Sequence, residues 1–173
     1  MSRVKKQKIS NVPRGFGRGG AMLNFMQYQI DQSGKIEDTH RLTIVVFANG
    51  KVKSLKISAV EKQKLVKAMR AFDYPKKIFI FKIFACLIFF LIKDEKIDSV
   101  MIDKEYPGHE PVIKDVLLRV FKLANSKIPD ISFGEIKKKS PAHKVALEVF
   151  RGKRDADIIV GAKQVIRVLY KNK

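Results

Sequence analysis

A chain of 173 residues with 46% hydrophobic content can build one domain with a sizeable core, and that composition excludes a purely disordered tail. The 36 Lys and Arg against 17 Asp and Glu leave a net charge of +19, which points to a polyanionic partner: DNA, RNA or an anionic membrane surface. The single cysteine, Cys86, excludes an internal disulfide, and the lack of any CxxC or Cys/His cluster argues against a zinc site; both fit a reducing, cytoplasmic setting.

Residues 1–20 carry Arg3, Lys5, Lys6, Lys8, Arg14 and Arg18 and no acid, and the run from Arg14 to Gly20 reads RGFGRGG. No apolar core marks this stretch as a signal peptide. It reads as a flexible basic arm in which Arg14 and Arg18 lie along phosphates and Phe16 stacks on a base. A merely solubilising arm is the plainer account. Residues 21–173 form the single folded domain.

Met22 to Asp31 reads as the first strand, ended by a turn at Gln32-Ser33-Gly34. His40 to Ala48 (HRLTIVVFA) is a β-branched second strand. Asn49-Gly50 predicts a tight hairpin, because both residues tolerate positive φ, and Lys51 to Ile57 returns as the third strand. Ser58 and Glu61 have capping-box spacing, and Glu61 to Phe72 reads as a helix with Leu65, Val66, Met69 and Phe72 on one stripe before Pro75 breaks it.

Ile78 to Ile92 (IFIFKIFACLIFFLI) is apolar except for Lys82. A membrane-spanning helix needs about 20 such residues, so this block reads as a buried core segment, with helix and strand both compatible. Ile97 to Ile102 is a fourth strand, apolar enough at its end for a central position. Pro111 takes the first turn of a helix to about Ala124, with Val112, Ile113, Val116, Leu117, Val120, Phe121 and Ala124 inward. A fifth strand lies around Ile131 to Gly134. Ser140 as N-cap and Pro141 open a helix over Ala142 to Phe150. A charged bend from Gly152 to Asp157 follows, and Ile158 to Tyr170 adds a further helix. The order β-β-β-α-β-α-β-α, with the Ile78 to Ile92 block left unassigned, predicts an α/β fold: a mixed five-stranded sheet flanked by helices.

The chemistry concentrates in Ser99 to Pro111, SVMIDKEYPGHEP. Asp103 and Glu105 stand at i, i+2 and share one face of an extended chain, with Glu110 close behind. Clustered carboxylates are costly unless a cation neutralises them. Acids gathered in so basic a chain suit metal-dependent chemistry on nucleic acid, with Mg2+ or Mn2+ as the oxygen-loving ion. His109 is placed for a general base or proton shuttle. Singly these residues have plainer accounts: a strand terminus for Asp103, a lysine partner for Glu105, a favourable helix-start acid for Glu110 and a backbone-capping turn residue for His109. Lys137, Lys138, Lys139, His143 and Lys144, with Arg151, Lys153 and Arg154, read as phosphate contacts, with a solvated loop the plainer account of the lysine run. No Gly-x-Ser-x-Gly, P-loop or Rossmann glycine fingerprint competes, so no small-molecule cofactor is expected.

The element order, with Asp103 closing the fourth strand, resembles the ribonuclease H-like fold of ribonucleases H, Holliday-junction resolvases, transposases and integrases, over about residues 22–170. The resemblance implies an acid in the first strand, one on the first helix, an Asp ending the fourth strand and a last acid on the final helix, with two divalent metals between them. Asp103 matches the fourth-strand position. Glu61 is the candidate on the first helix and Asp31 on the first strand, although at that strand's end rather than its middle. Asp155 or Asp157 is the candidate for the last. Lys138 to Val145 (KKSPAHKV), followed by Arg151 to Asp155 (RGKRD), is similar to the closing helix of resolvases. The expected function is a metal-dependent nuclease or related phosphodiester-acting enzyme on DNA or RNA. Asp103 would be its central ligand, Glu105 and Glu110 helpers, and Asp155 or Asp157 the closing ligand. The alternatives are a non-catalytic nucleic-acid-binding protein on the same fold and a small membrane-associated protein anchored by Ile78 to Ile92.

Overall fold

The computed structural model describes residues 27–71 and 77–170. Arg14, Phe16, Arg18, Phe72 and Pro75, and the first residues of the expected first strand, lie outside the described residues.

A meander opens the sheet: β1 (Tyr28–Ser33), β2 (Thr43–Asn49) and β3 (Lys51–Ile57). β1 and β2 pair antiparallel from Gln29 opposite Ala48 to Ser33 opposite Ile44, and β2 and β3 from Thr43 opposite Ile57 to Asn49 opposite Lys51. The turn at the second hairpin is tighter than the sequence suggests. Only Gly50 takes a left-handed φ, +75°, while Asn49 stays in the strand and donates from its side-chain amide to the Gln27 carbonyl at 3.1 Å.

The chain continues through α1 (Ala59–Arg70), α2 (Ile78–Ile92), β4 (Ser99–Asp103), α3 (Glu110–Leu123), β5 (Asp130–Gly134), α4 (Pro141–Phe150), β6 (Ile158–Ile159) and α5 (Ala162–Leu169). The strand order is β5-β4-β1-β2-β3-β6, a mixed sheet in which β4 runs parallel to β1, β5 to β4 and β6 to β3. The sheet therefore has six strands, not five. Ile158 and Ile159 pair with Leu55 and Lys56 on the open edge of β3, and Val160 donates to the Lys56 carbonyl at 2.9 Å. The helix expected from Ile158 starts only at Ala162, because an unpaired edge offers those residues hydrogen bonds that a helix start would leave unmet.

The Ile78 to Ile92 block is a helix, and it is buried on nearly every side, as a helix apolar all round must be. It packs against β2 and β3 and is flanked by α1, α3 and α5. Fifteen residues rise about 22 Å, less than the hydrocarbon thickness of a bilayer. Among the described residues, no helix is long and apolar enough to cross a membrane. Cys86 lies within this core, where burial pushes its thiol pKa far up.

The two sheet faces are covered unequally. Ile30, Val45, Phe47, Leu55 and Ile57 point into the main core with α1, α2, α3 and α5. Ile44 and Val46 point the other way, against Ala146 and Val149 of α4. β2 is consequently buried on both faces from Thr43 to Ala48.

One residue of the α1 stripe is not apolar. Lys62 shares the buried face with Leu65, Val66 and Met69 and is 0% exposed. Its ammonium donates to the Lys35 carbonyl at 2.8 Å, the Asp38 carbonyl at 2.6 Å and Thr43 Oγ1 at 2.9 Å, and so ties down the long β1–β2 loop. Desolvation pulls its pKa down to about 8, against the opposing charges of Asp38 and Glu37. Replacing Lys62 by Met leaves the Asp38 carbonyl without its ammonium donor and strips one of two donors from the Lys35 carbonyl, and is expected to cost about 1–3 kcal/mol in urea unfolding at pH 7. Between about pH 8 and 10.5 the unfolded chain binds a proton at this position that the folded chain does not. Wild-type stability should therefore rise across that window relative to Lys62→Met, and pH-dependent urea melts read the difference.

Candidate metal centre

Strand alternation decides which side chains can meet. β1 and β4 are parallel with Ile30 beside Ile102, both pointing into the main core. The next residue along each strand, Asp31 and Asp103, therefore points to the opposite face, which α4 covers. Glu105 follows Asp103 by two residues in the loop after β4. One carboxylate oxygen from each of Asp31, Asp103 and Glu105 lies within 4.8 Å of the others. Asp31 is fully buried, and Asp103 and Glu105 are half-buried. Asp31 does not end its strand: it is the fourth residue of β1, which runs on through Ser33 to a turn at Gly34 with φ +78°.

A fourth group arrives from α4. Ser140 caps that helix by accepting the His143 N–H at 3.1 Å, which places His143 in its first turn. His143 Nδ1 sits 2.8 Å from Asp31 Oδ2, so this residue, expected among the phosphate contacts, reaches the carboxylate cluster. The Ser-Pro start of α4 is legible in the sequence. Which side of the helix meets Asp31 is set by Ala146 and Val149 docking on Ile44 and Val46.

The acids are crowded and partly dry. Burial raises the Asp31 carboxyl above the usual carboxylate range and Asp103 adds to the rise, while the hydrogen bonds from His143 and from the Gln32 N–H, at 2.8 Å, oppose it. Glu105 is pushed up to about 7, first by burial and then by the charges of Asp103 and Asp31, with Lys35 opposing. Asp103 Oδ1 accepts the Ile136 N–H at 2.7 Å.

The other candidate residues fall elsewhere. Glu110 is the first residue of α3, and His109 precedes it. The His109 side chain caps no backbone group; its exposed ring stacks on Phe81, with centroids 3.9 Å apart and planes 19° apart. Asp157 Oδ2 accepts the N–H and hydroxyl of Ser54, each at 2.7 Å. Ser54 stands opposite Val46, which stands opposite Asp31, so Asp157 attaches two strands away from the cluster, about 10 Å. Asp155 is exposed beyond the far end of α4. Glu61 binds Lys64 and accepts the Ala162 N–H at 2.7 Å, tying α1 to the start of α5 rather than closing its own capping box.

Several cations adjoin the cluster residues along the chain. Gly134 is the register partner of Asp103, so the loop leaving β5 starts at the acids and carries exposed Lys137, Lys138 and Lys139. Lys104 separates Asp103 from Glu105, and Lys144 follows His143; both are exposed. Arg151, Lys153 and Arg154 are exposed at the opposite end of α4, about 15 Å along its axis.

The raised Glu105 carboxyl gives a signed test. Between about pH 4.5 and 7 the folded chain holds a proton that the unfolded chain has lost, so stability falls as pH rises through that range. In chelator-treated protein, Glu105→Gln should lose less stability than wild type between pH 5 and pH 8, by about 1–3 kcal/mol in urea melts.

Compared with known proteins, the chain matches no family model, no curated protein and no solved structure.

Proposed function

We propose that this protein is a divalent-metal-dependent enzyme acting on phosphodiesters of DNA or RNA, with a ribonuclease H-like arrangement of its sheet. The observation that carries the reading is the convergence of Asp31, Asp103 and Glu105, from β1, the end of β4 and the loop beyond, in a chain whose net charge is +19. A first-strand acid and an aspartate ending the fourth strand are two of the four positions of the ribonuclease H-like pattern; the first-helix candidate, Glu61, is engaged with Lys64 and the Ala162 N–H. In place of an acid from the final helix, α4 supplies His143.

The donor set fits the metal. Carboxylate oxygens suit Mg2+ and Mn2+, and Asp31, Asp103 and Glu105 would hold the ion. Bound there, such an ion supplies an activated water and neutralises charge on the leaving oxygen. The remaining work falls to the chain itself. His143 and the Gln32 N–H orient the Asp31 carboxylate, and the Ile136 N–H orients Asp103. Lys137, Lys138, Lys139 and Lys144 would hold backbone phosphates beside the acids, the division of labour between positioning and chemistry that such sites use.

A second reading, a non-catalytic nucleic-acid-binding protein, is favoured by Arg151, Lys153 and Arg154, a cationic group away from the carboxylates. The decisive measurement is cleavage of labelled single- and double-stranded DNA and RNA with Mg2+ or Mn2+. Asp103→Asn should lower cleavage by roughly two orders of magnitude or more while leaving binding in place. A wild-type protein that binds but cleaves none of these substrates would hand the function to the second reading.

A further inference from the structure

We infer that Tyr106 and Gln32 are positioning residues for the carboxylate cluster, forming a hydrogen-bonded bracket behind the sheet that sets the spacing between Asp31 and Glu105. The inference rests on the metal reading above.

Glu105 has no strand to hold it. β4 ends at Asp103, and the local backbone bonds are those from the Lys104 N–H to the Gly134 carbonyl at 3.2 Å and from the Glu105 N–H to the Asp103 carbonyl at 2.9 Å. Its next neighbour is the anchored residue. Tyr106 is buried, with its ring edge-on to Phe84 at 5.3 Å and to Phe81 at 5.5 Å, and its carbonyl accepts the His109 N–H at 3.0 Å.

The Tyr106 hydroxyl is fully engaged. It accepts from Gln32 Nε2 at 3.2 Å and from the Ile36 N–H at 3.3 Å, and it donates to Glu37 Oε2 at 3.3 Å. Gln32 directly follows Asp31 and stands opposite Val45, on the main-core face. Asp31 and Glu105 thus meet on one side of the sheet, while the residue after each of them meets its counterpart on the other side. The Gln32–Tyr106 bond joins β1 to the loop after β4 at the level of the site.

Gln32 makes this link at a cost. Its Nε2 is shared between Tyr106 and the Gly34 carbonyl, at 3.0 Å, and its buried Oε1 has no hydrogen-bond partner among the described residues. An unmet buried amide oxygen opposes folding, and an apolar side chain at position 32 would avoid it, but only by losing the link to Tyr106. A local rule broken next to a chemical site is where function commonly outweighs stability.

Tyr106→Phe keeps the ring packing and removes only the hydroxyl. Calorimetric titration of the full chain with Mn2+ alone should show an affinity about 10–100-fold below wild type, the scale on which groups that orient metal ligands act. Thermal melts in chelator run alongside. A lower melting temperature with Mn2+ affinity within twofold of wild type would make the bracket merely structural and overturn the inference. Gln32→Met, which leaves the aromatic cluster intact, provides the same comparison if Tyr106→Phe does not fold. Asp103→Asn separates the two levels of the argument. If it binds Mn2+ as wild type does, or if wild type binds none, the metal reading itself falls; if wild type binds, Asp103→Asn does not and Tyr106→Phe matches wild type, the bracket alone falls.

Discussion

Two strands separated by about seventy residues, β1 and β4, lie side by side in the middle of the sheet, and their register governs the rest of the molecule. Ile30 beside Ile102 closes the main core under α2 and α3. One residue further, the same pairing sets Asp31 and Asp103 side by side on the other face. A slip of one residue in either strand would send its isoleucine to the α4 side and its aspartate into the apolar core, at a desolvation cost. The apolar core and the acidic cluster are therefore specified by a single register.

Holding the carboxylates together is unfavourable in itself, and the fold opposes their repulsion with specific groups. His143 and two backbone N–H donors, from Gln32 and Ile136, bind the aspartates. Lysines crowd the loops on either side. The stability that tolerates the residual strain comes from the opposite face, where α2 buries a nearly continuous apolar surface against β2 and β3 and its neighbouring helices. The β1–β2 loop is pinned from two directions, by the Lys62 ammonium on one side and the Tyr106 hydroxyl on the other, with Ile36 buried between. The site is thus bounded by a loop that is itself held by buried polar bonds, a way of fixing geometry where no strand or helix reaches.

Local signals read well where chemistry within a few residues decides the outcome. The Asn49-Gly50 hairpin, the Ser58 and Ser140 caps and the Pro111 and Pro141 helix starts stand where the sequence places them, because a turn needs particular φ angles and a helix start needs particular acceptors. Asp103 is legible for the same reason, as a carboxylate at the end of an apolar strand. Lys62 escaped notice because helical spacing identifies a buried stripe but not the carbonyls that a lysine on it will find. β6 escaped because two isoleucines before a helix carry no strand signal until the edge of β3 is beside them.

The sequence by itself determined the meander, the buried block from Ile78 to Ile92, the strand that ends in Asp103 and the excess of positive charge. Each follows from spacing, turn chemistry or composition, which act over a handful of residues. Only the tertiary structure decided that Asp31 joins Asp103 and Glu105, that His143 reaches Asp31, and that Asp157 attaches instead to Ser54 two strands away. Those outcomes depend on parallel register and on how α4 docks across β1 and β2. They are settled by the packing of Ile30, Ile102, Ala146 and Val149, residues that carry none of the chemistry they position.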